Sequence, residues 1–206
     1  MNPLQQLTEI FSHFPGIGPR QAKRFAYYLI SRDKGYIDSL VRNLQELKRS
    51  VATCERCFRY FPIGTTIGKL CPICVSVKRD QNQIMVVSRD VDLENVEKTG
   101  TFNGLYFVLG GSIPILEKNP ETRIRIKELS SRIETDGTSG ALKEIILGLN
   151  LTPEGENTEQ YLRLTISSAT EKYSIKLSTL GRGLSTGTEL EYSDPDTLRN
   201  ALKNRF

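Results

Sequence analysis

The sequence of 206 residues has no tryptophan, a single histidine (His13) and only four cysteines. One histidine argues against the His-based triads and multi-histidine metal sites of many hydrolases. Four cysteines in a chain of this length are too sparse for a disulfide scaffold. No apolar run approaches the roughly 20 residues that span a bilayer, and the first six residues lack the basic head and apolar run of a signal peptide. We therefore expect a cytoplasmic protein.

Charge is unevenly distributed along the chain, although the formal net charge is only +4. Residues 1–53 hold eight basic and four acidic side chains, and residues 54–80 hold five and two. Residues 81–206 hold fifteen basic and eighteen acidic side chains. A basic first part joined to a mildly acidic remainder indicates an end that faces a polyanion. Chance clustering on a solvated surface would give the same count.

The first fifty residues have apolar side chains at helical spacing, which predicts three helices. Between the first two helices lies Phe-Pro-Gly-Ile-Gly-Pro-Arg, in which Gly16, Ile17 and Gly18 predict a tight turn. Open backbone N–H groups and the positive end of the next helix would make this turn a site for a phosphate oxygen. The turn therefore predicts phosphate binding, although a Gly-Ile-Gly turn can also serve packing alone.

Three basic residues, Arg20, Lys23 and Arg24, follow the turn closely enough to neutralise neighbouring phosphates. The arrangement resembles the helix-hairpin-helix motif, which holds the sugar-phosphate backbone without reading bases. Packing alone would not require these three charges, so their presence favours DNA binding. His13 lies just before the turn and is interpreted as a helix-end residue rather than a catalyst or ligand. The predicted DNA-binding residues are Gly16, Ile17, Gly18, Arg20, Lys23 and Arg24.

All four cysteines occur in two CxxC pairs, Cys54 with Cys57 and Cys71 with Cys74, separated by thirteen residues. Each short turn can direct two thiolates at one ion, and two turns complete a tetrahedral shell. Four thiolates leave no position for a substrate water, so the spacing predicts one structural zinc ion. A redox CxxC would occur only once, whereas an iron–sulfur cluster uses the same ligands and remains an alternative.

After residue 80, short apolar runs alternate with helical patterns, which predicts a parallel or mostly parallel α/β sheet. The predicted strands cover residues 84–87, 104–111, 144–149 and 173–177. The predicted helices cover residues 92–98, 124–133, 156–164 and 196–203, with a loop at 136–140.

The order of hairpin, paired cysteine knuckles and α/β region resembles the bacterial RecR recombination-mediator family over nearly the whole chain. The local matches are Glu97 to Gly100, Gly104 to Gly111, Asn150, Glu154 to Thr158, Tyr161-Leu162, Arg182 to Leu184, Gly187 and Glu189 to Tyr192. The resemblance implies an α+β multidomain fold: a helix-hairpin-helix region (1–53), a four-cysteine zinc finger (54–80), a Toprim domain (81–178) and a C-terminal strand/helix segment similar to a Walker B pattern (179–206).

Several residues depart from the patterns of Toprim enzymes and of the family. Catalytic Toprim domains hold magnesium with a Glu after the first strand and a later Asp-x-Asp, where this chain has Ser88 and Asn150. Metal-dependent phosphoryl chemistry needs convergent carboxylates, so we predict a non-enzymatic protein. No GxxxxGK[ST] loop exists, so an ATP site is not expected. Phe107 and Ser185 stand where the family usually has His and Pro.

The resemblance implies a DNA-binding recombination mediator that forms a clamp-like homo-oligomer, a dimer or tetramer ring. Such a protein works with RecO-like and RecF-like partners to load recombinase on single-stranded gaps. The resemblance also assigns partner binding to Asn150, Glu154 and Glu156, although Glu154 and Glu156 could be ordinary charges at a helix N-terminus. The alternatives are a Toprim metal-dependent nuclease or primase-like enzyme and a zinc-ribbon interaction protein with no role on DNA.

Overall fold

The computed structural model describes residues 2–181, 183–184, 187, 189–193 and 195–203. Arg182 and Ser185, which figured in the resemblance, lie outside the described residues. The chain divides into two compact units, Met1–Val51 and Ala52–Phe206. No helix in the described part of the chain is long and apolar enough to cross a membrane.

The first unit consists of the three predicted helices, α1 (Pro3–Ser12), α2 (Pro19–Ile30) and α3 (Lys34–Ser50). A reciprocal cap starts α1: Gln5 N donates to Asn2 Oδ1 at 2.9 Å, and Asn2 N donates to Gln5 Oε1 at 3.2 Å. Helices α1 and α2 pack against each other through edge-to-face rings, with the Phe11 and Phe25 centroids 5.9 Å apart. This packing positions the turn between the two helices.

Strand β1 (Val51–Thr53) begins at the last residue of the first unit and pairs with β2 (Tyr60–Pro62) in the cysteine region, where one helical turn, α4 (Pro72–Val75), follows. The α/β part has strands β3 (Gln83–Val87), β4 (Leu105–Val108), β5 (Glu144–Gly148) and β6 (Lys176–Thr179). Helices α5 (Asp90–Thr99), α6 (Ile126–Thr138) and α7 (Pro153–Lys172) connect them in turn. These bounds confirm the alternation of strands and helices that the sequence predicts.

The four strands are all parallel, in the order β4-β3-β5-β6. Central β3 pairs on both sides, with Ile84 opposite Leu105 on β4 and Ile145 on β5. All three side chains are fully buried, as expected for a parallel sheet whose two faces are both covered by the chain. The predicted mostly parallel sheet is confirmed.

Two local predictions were wrong near the end of α6. Residues 136–138, predicted as loop, belong to α6, and the predicted strand at 173–177 starts only at Lys176. Tyr173 instead ends α7, and its ring lies against Gly137, where a Cβ atom would come within 2.7 Å of it. Tertiary packing of Tyr173 on a glycine therefore outweighed the loop propensity of this segment. A 3-10 turn (Leu190–Tyr192) and helix α8 (Pro195–Lys203) follow the sheet.

Candidate metal centre and nucleic-acid interface

The four cysteines converge on one point inside the second unit. Their Sγ atoms all lie within 4.8 Å of one another, and all four residues are buried. Cys57 Sγ and Cys71 Sγ are 3.6 Å apart, far beyond the roughly 2.05 Å of a disulfide. A tetrahedral zinc site with Zn–S bonds of about 2.3 Å would place its sulfurs roughly 3.8 Å apart. The cluster is therefore suited to a metal ion such as zinc.

The backbone of each knuckle folds so that its two sulfurs face the same side. Phe58 N donates to the carbonyl of Cys54 at 2.9 Å, and Cys74 N donates to the carbonyl of Cys71 at 3.0 Å. Cys71 N also donates to Cys54 Sγ at 3.3 Å, which joins the two knuckles. An N–H group directed at a sulfur favours the thiolate, the form that binds metal.

Crowding of the thiols shifts their pKa values in opposite directions. Hydrogen bonds with Cys57, Cys71 and Cys74 lower the pKa of Cys54. Hydrogen bonds with Cys54, Cys71 and Cys74, together with burial, raise the pKa of Cys57. Four thiolates this close together repel one another, so a bound dication is what would keep all four deprotonated.

The first knuckle is attached to the edge of the parallel sheet. Val108 N, on edge strand β4, donates to the carbonyl of Cys57 at 2.8 Å. The rings of Phe58 and Phe107 pack with centroids 5.4 Å apart, and Phe107 is fully buried. Phe107 is thus a core residue that holds the knuckle against the sheet.

Sequence reasoning missed Arg132, the main polar link in this region. Its side chain is only 6% exposed. Its Nε atom donates to Asp136 at 3.1 Å, and its Nη1 atom donates to the carbonyl of Tyr106 at 3.0 Å. The only sequence feature that could have indicated its burial is its position on the same helical stripe as Leu129 and Ile133, two buried apolar residues of α6.

The carboxyl ends of β3 and β5, where the strand order reverses, are the usual ligand site of an open parallel sheet. Ser88, directly after β3, is buried and accepts a hydrogen bond from Ser112 Oγ at 3.3 Å. Asn150 follows β5 and is exposed. Within the described ranges, the four cysteines are the one group of three or more His, Cys, Asp or Glu side chains close enough to share an ion.

The predicted partner-binding residues lie together at the start of α7. Thr152 caps this helix by accepting a hydrogen bond from Gly155 N at 3.2 Å. A Cβ atom at position 155 would lie 2.0 Å from the carbonyl oxygen of Asn150, so the turn requires glycine there. Asn150, Glu154 and Glu156 are all exposed on this one turn.

The predicted phosphate-binding turn connects α1 to α2 in the first unit. Gly16 has a φ of +76°, and Ile17 N donates to the carbonyl of Phe14 at 3.0 Å. Gly18 is the N-cap of α2, which no side chain caps. A Cβ atom at position 18 would meet nothing within 4 Å, so the backbone there is open to an approaching ligand. Pro19, the first residue of α2, has no N–H, so Arg20 and Gln21 carry the first amides of this helix that can point at that ligand.

The three predicted basic residues lie on the solvent side of α2. Arg20, Lys23 and Arg24 are exposed, whereas Ala22 and Ala26 are fully buried. The three cations therefore follow the turn at exposed positions of the same helix, as phosphate contact would require.

Comparison with known proteins agrees with this architecture of helical hairpin and Toprim-like sheet. Residues 4–48 match the family model described as RecR, helix-hairpin-helix. Residues 82–179 match the Toprim domain, and residues 183–205 match RecR, C-terminal. The fold is therefore of the class in which a helix-hairpin-helix motif is followed by a Toprim domain.

Similarity to individual relatives extends over almost the full chain. The Recombination protein RecR of Chloroflexus aggregans is 36% identical over 203 residues, covering 98% of this chain and 93% of that protein. Those of Dehalococcoides mccartyi (37% over 202 residues; 98% and 93%) and Bdellovibrio bacteriovorus (36% over 208 residues; 100% and 97%) are equally similar. The chain belongs to the RecR family.

Proposed function

We propose that this protein is a non-enzymatic, DNA-binding recombination mediator that acts in recombinational DNA repair in the cytoplasm. The observation that carries the proposal is the exposed basic face of α2 beside an open Gly-Ile-Gly turn. Family membership supports it, because the relatives named above are recombination proteins.

The hairpin is proposed to hold DNA through its backbone phosphates and without sequence preference. The main-chain N–H groups of Gly16 and Gly18 would face one phosphate, while the N–H of Ile17 closes the turn onto the carbonyl of Phe14. Arg20, Lys23 and Arg24 would neutralise the neighbouring phosphates. Phosphate contacts of this kind position a protein on DNA but carry no information about base sequence.

One structural zinc ion is proposed to bind Cys54, Cys57, Cys71 and Cys74. The buried all-sulfur donor set supports a structural ion, since it leaves no open coordination position. We accordingly divide the chain into a helix-hairpin-helix region (1–53), a zinc finger (54–80), a Toprim domain (81–178) and a C-terminal segment (179–206).

Asn150, Glu154 and Glu156 are proposed to contact RecO-like partners, with RecF-like proteins as further partners. Their exposure on a single acidic turn supports contact with a basic protein surface. We further propose a clamp-like homo-oligomer, a dimer or tetramer ring, in which weak phosphate contacts would add through high effective concentration.

The competing function is that of a Toprim nuclease or primase-like enzyme. Ser88 and Asn150 supply no carboxylate at the ends of β3 and β5, which supports the non-enzymatic proposal. Magnesium-dependent cleavage or synthesis that disappears in Glu154→Ala would overturn it.

The test of DNA binding compares the parent protein with the double variant Lys23→Ala/Arg24→Ala by fluorescence anisotropy over a range of salt concentrations. The variant should bind all sequences more weakly, and its slope of log affinity against log salt should be shallower by about two. Lys98→Ala/Lys143→Ala, which removes two exposed lysines of the other unit, is the matched control. Binding that is insensitive to salt, or equal slopes for all three proteins, would contradict the proposal.

A further inference from the structure

The solvent face of α2 continues beyond its cations into aromatic residues. Residues four apart on a helix lie one above the other, about 5.4 Å along the axis per turn. Arg20 and Arg24 are followed on this row by Tyr28, and Lys23 is followed on the neighbouring row by Tyr27. Both rows therefore run from cations at the hairpin end of the helix to a tyrosine one turn further on.

Both tyrosines are exposed to an extent unusual for large aromatic side chains. Tyr27 is 52% exposed and Tyr28 is 45% exposed, while the opposite face of α2 is buried through Ala22 and Ala26. Packing within the first unit thus leaves much of each ring in contact with solvent. Aromatic rings placed beside cations on an open surface are the platforms on which single-stranded nucleic acids stack.

Tyr28 is held in a defined arrangement. The Arg32 guanidinium carbon lies 4.1 Å from the centroid of the Tyr28 ring. The ring of Tyr36 meets Tyr28 edge to face, with centroids 6.2 Å apart and an interplanar angle of 83°. A planar guanidinium stacked on an aromatic ring is itself a surface on which a base can stack.

Tyr27 borders a groove between α1 and α2. The groove has a volume of about 510 Å³, and its lining includes Pro19, Lys23 and Tyr27. The Lys23 ammonium lies 6.0 Å from the Tyr27 ring centroid, too far to cover the ring closely. A volume of this order accommodates a small planar ligand beside the ring.

We propose that Tyr27 and the Tyr28–Arg32 pair stack unpaired bases of single-stranded DNA whose phosphates lie on the basic end of α2. The inference rests on the proposed DNA-binding function and names the form of DNA that this surface prefers. Bases of a duplex are already stacked on one another, so their faces are inaccessible to protein rings, whereas every unpaired base presents a π-face. Phosphates alone would be contacted in both forms.

The experiment measures the affinity of the full chain for three probes of equal length: a thymidine oligomer, an oligomer of abasic sites, and a duplex. The abasic probe keeps the phosphates and removes the bases. The parent protein should prefer the thymidine oligomer over the abasic one. Tyr27→Leu should weaken thymidine binding by about 5- to 150-fold and leave the other two affinities unchanged, and Tyr28→Leu should act in the same direction.

Two matched variants separate stacking from other effects. Tyr27→Phe keeps the ring and should retain the preference for thymidine. Tyr60→Leu removes a tyrosine that is 55% exposed on the second unit and should leave all three affinities unchanged. Circular dichroism and unfolding curves should show that each variant is folded.

Several results would overturn the proposal. Equal losses on all three probes would mean that the tyrosines support backbone contact only. A change in sedimentation mass caused by Tyr27→Leu would mean that a second copy of the chain covers this face. Equal binding of thymidine and abasic oligomers by the parent protein would exclude stacking. If the parent protein binds none of the three probes, the proposed DNA-binding function itself is contradicted. If Lys23→Ala/Arg24→Ala abolishes binding while the tyrosine variants bind all probes as the parent does, only the stacking proposal is contradicted.

Discussion

The guanidinium of Arg132, in helix α6, donates a hydrogen bond of 2.7 Å to the main-chain carbonyl of Arg56, which lies between Cys54 and Cys57. The same Nη1 atom also reaches the carbonyl of Tyr106 in β4. One buried cation therefore joins the first cysteine knuckle to the parallel sheet, although 76 residues separate Arg132 from Arg56. Metal loading of the knuckle and packing of the sheet should be thermodynamically coupled.

Arg132→Ala should lower the free energy of unfolding of the second unit by about 3 kcal/mol, because two carbonyls lose a buried charged donor and Asp136 loses its nearer cation. Urea unfolding measures the change. Lys127→Ala, an exposed position on the same helix, should shift stability by less than about 0.5 kcal/mol. Similar losses in both variants would contradict the role given to Arg132.

Removal of the metal with a chelator should speed hydrogen exchange at the amide of Val108, because this N–H donates to the carbonyl of Cys57. The purified protein should contain about one zinc ion per chain, and Cys71→Ser should reduce that content. Exchange is followed by NMR or mass spectrometry, and metal content by elemental analysis. An iron chromophore, or a folded protein that never contains metal, is incompatible with the zinc proposal.

Acid should destabilise the second unit through Glu97. Its carboxylate accepts hydrogen bonds from Tyr106 Oη at 2.7 Å and from both terminal nitrogens of Arg79. Burial by itself would raise the pKa of Glu97, but the hydrogen bonds from Arg79 and Tyr106 outweigh burial and lower the pKa overall. The pKa of Glu97 is therefore lower in the folded state than in the unfolded state, where it is about 4.3. The stability that Glu97 contributes is complete above the unfolded-state pKa and is lost as the pH falls through the folded-state pKa.

Tyr106→Phe tests this network, because it removes one donor to Glu97 and keeps the ring. The variant should lose about 2 kcal/mol of stability at neutral pH, the usual worth of a hydrogen bond to a charged group. The loss should be smaller at an acid pH below the depressed folded-state pKa of Glu97, where its carboxyl group is protonated. Urea unfolding at both pH values measures it, and an equal loss at the two would show that the hydroxyl does not act through the carboxylate.

Gly18→Ser should separate helix stability from DNA binding. The N-cap residue of α2 has an extended backbone with a φ of −81°, so a serine hydroxyl can accept a hydrogen bond from the first turn and stabilise the helix by a few tenths of a kcal/mol. The new side chain would occupy the open surface where a phosphate is proposed to bind, and affinity for duplex DNA should fall. Thermal unfolding and anisotropy measure the two effects, and unchanged affinity would place the phosphate elsewhere.

Gly16→Ala is expected to act in the opposite way on stability. Its φ of +76° lies in the left-handed region, where a Cβ atom costs about 1–2 kcal/mol. The melting temperature of the first unit should therefore fall, although space around position 16 is open. A variant as stable as the parent would show that the turn can change its backbone conformation.

Local patterns predicted most elements because they depend on side-chain spacing along one segment. Apolar runs mark β3 and β5, helical stripes mark α1 to α3, and the two CxxC pairs mark the metal ligands. The prediction failed at residues 136–138 because the helix there is stabilised by Tyr173, which comes from a distant part of the chain. Propensity is a weak prior wherever a tertiary contact of this kind intervenes.

The amino-acid sequence by itself determined the cysteine cluster, the basic hairpin and the parallel strands, because ligand spacing, glycine turns and apolar periodicity are local properties of the chain. Only the tertiary structure decided that Arg132 is buried between a knuckle and a strand, since its acceptors are carbonyls remote in sequence. It likewise decided that Tyr27 and Tyr28 face solvent beside the cations, because that depends on which face of α2 is buried against α1. Burial depends on the packing of the whole unit and cannot be derived from the spacing of residues along the chain.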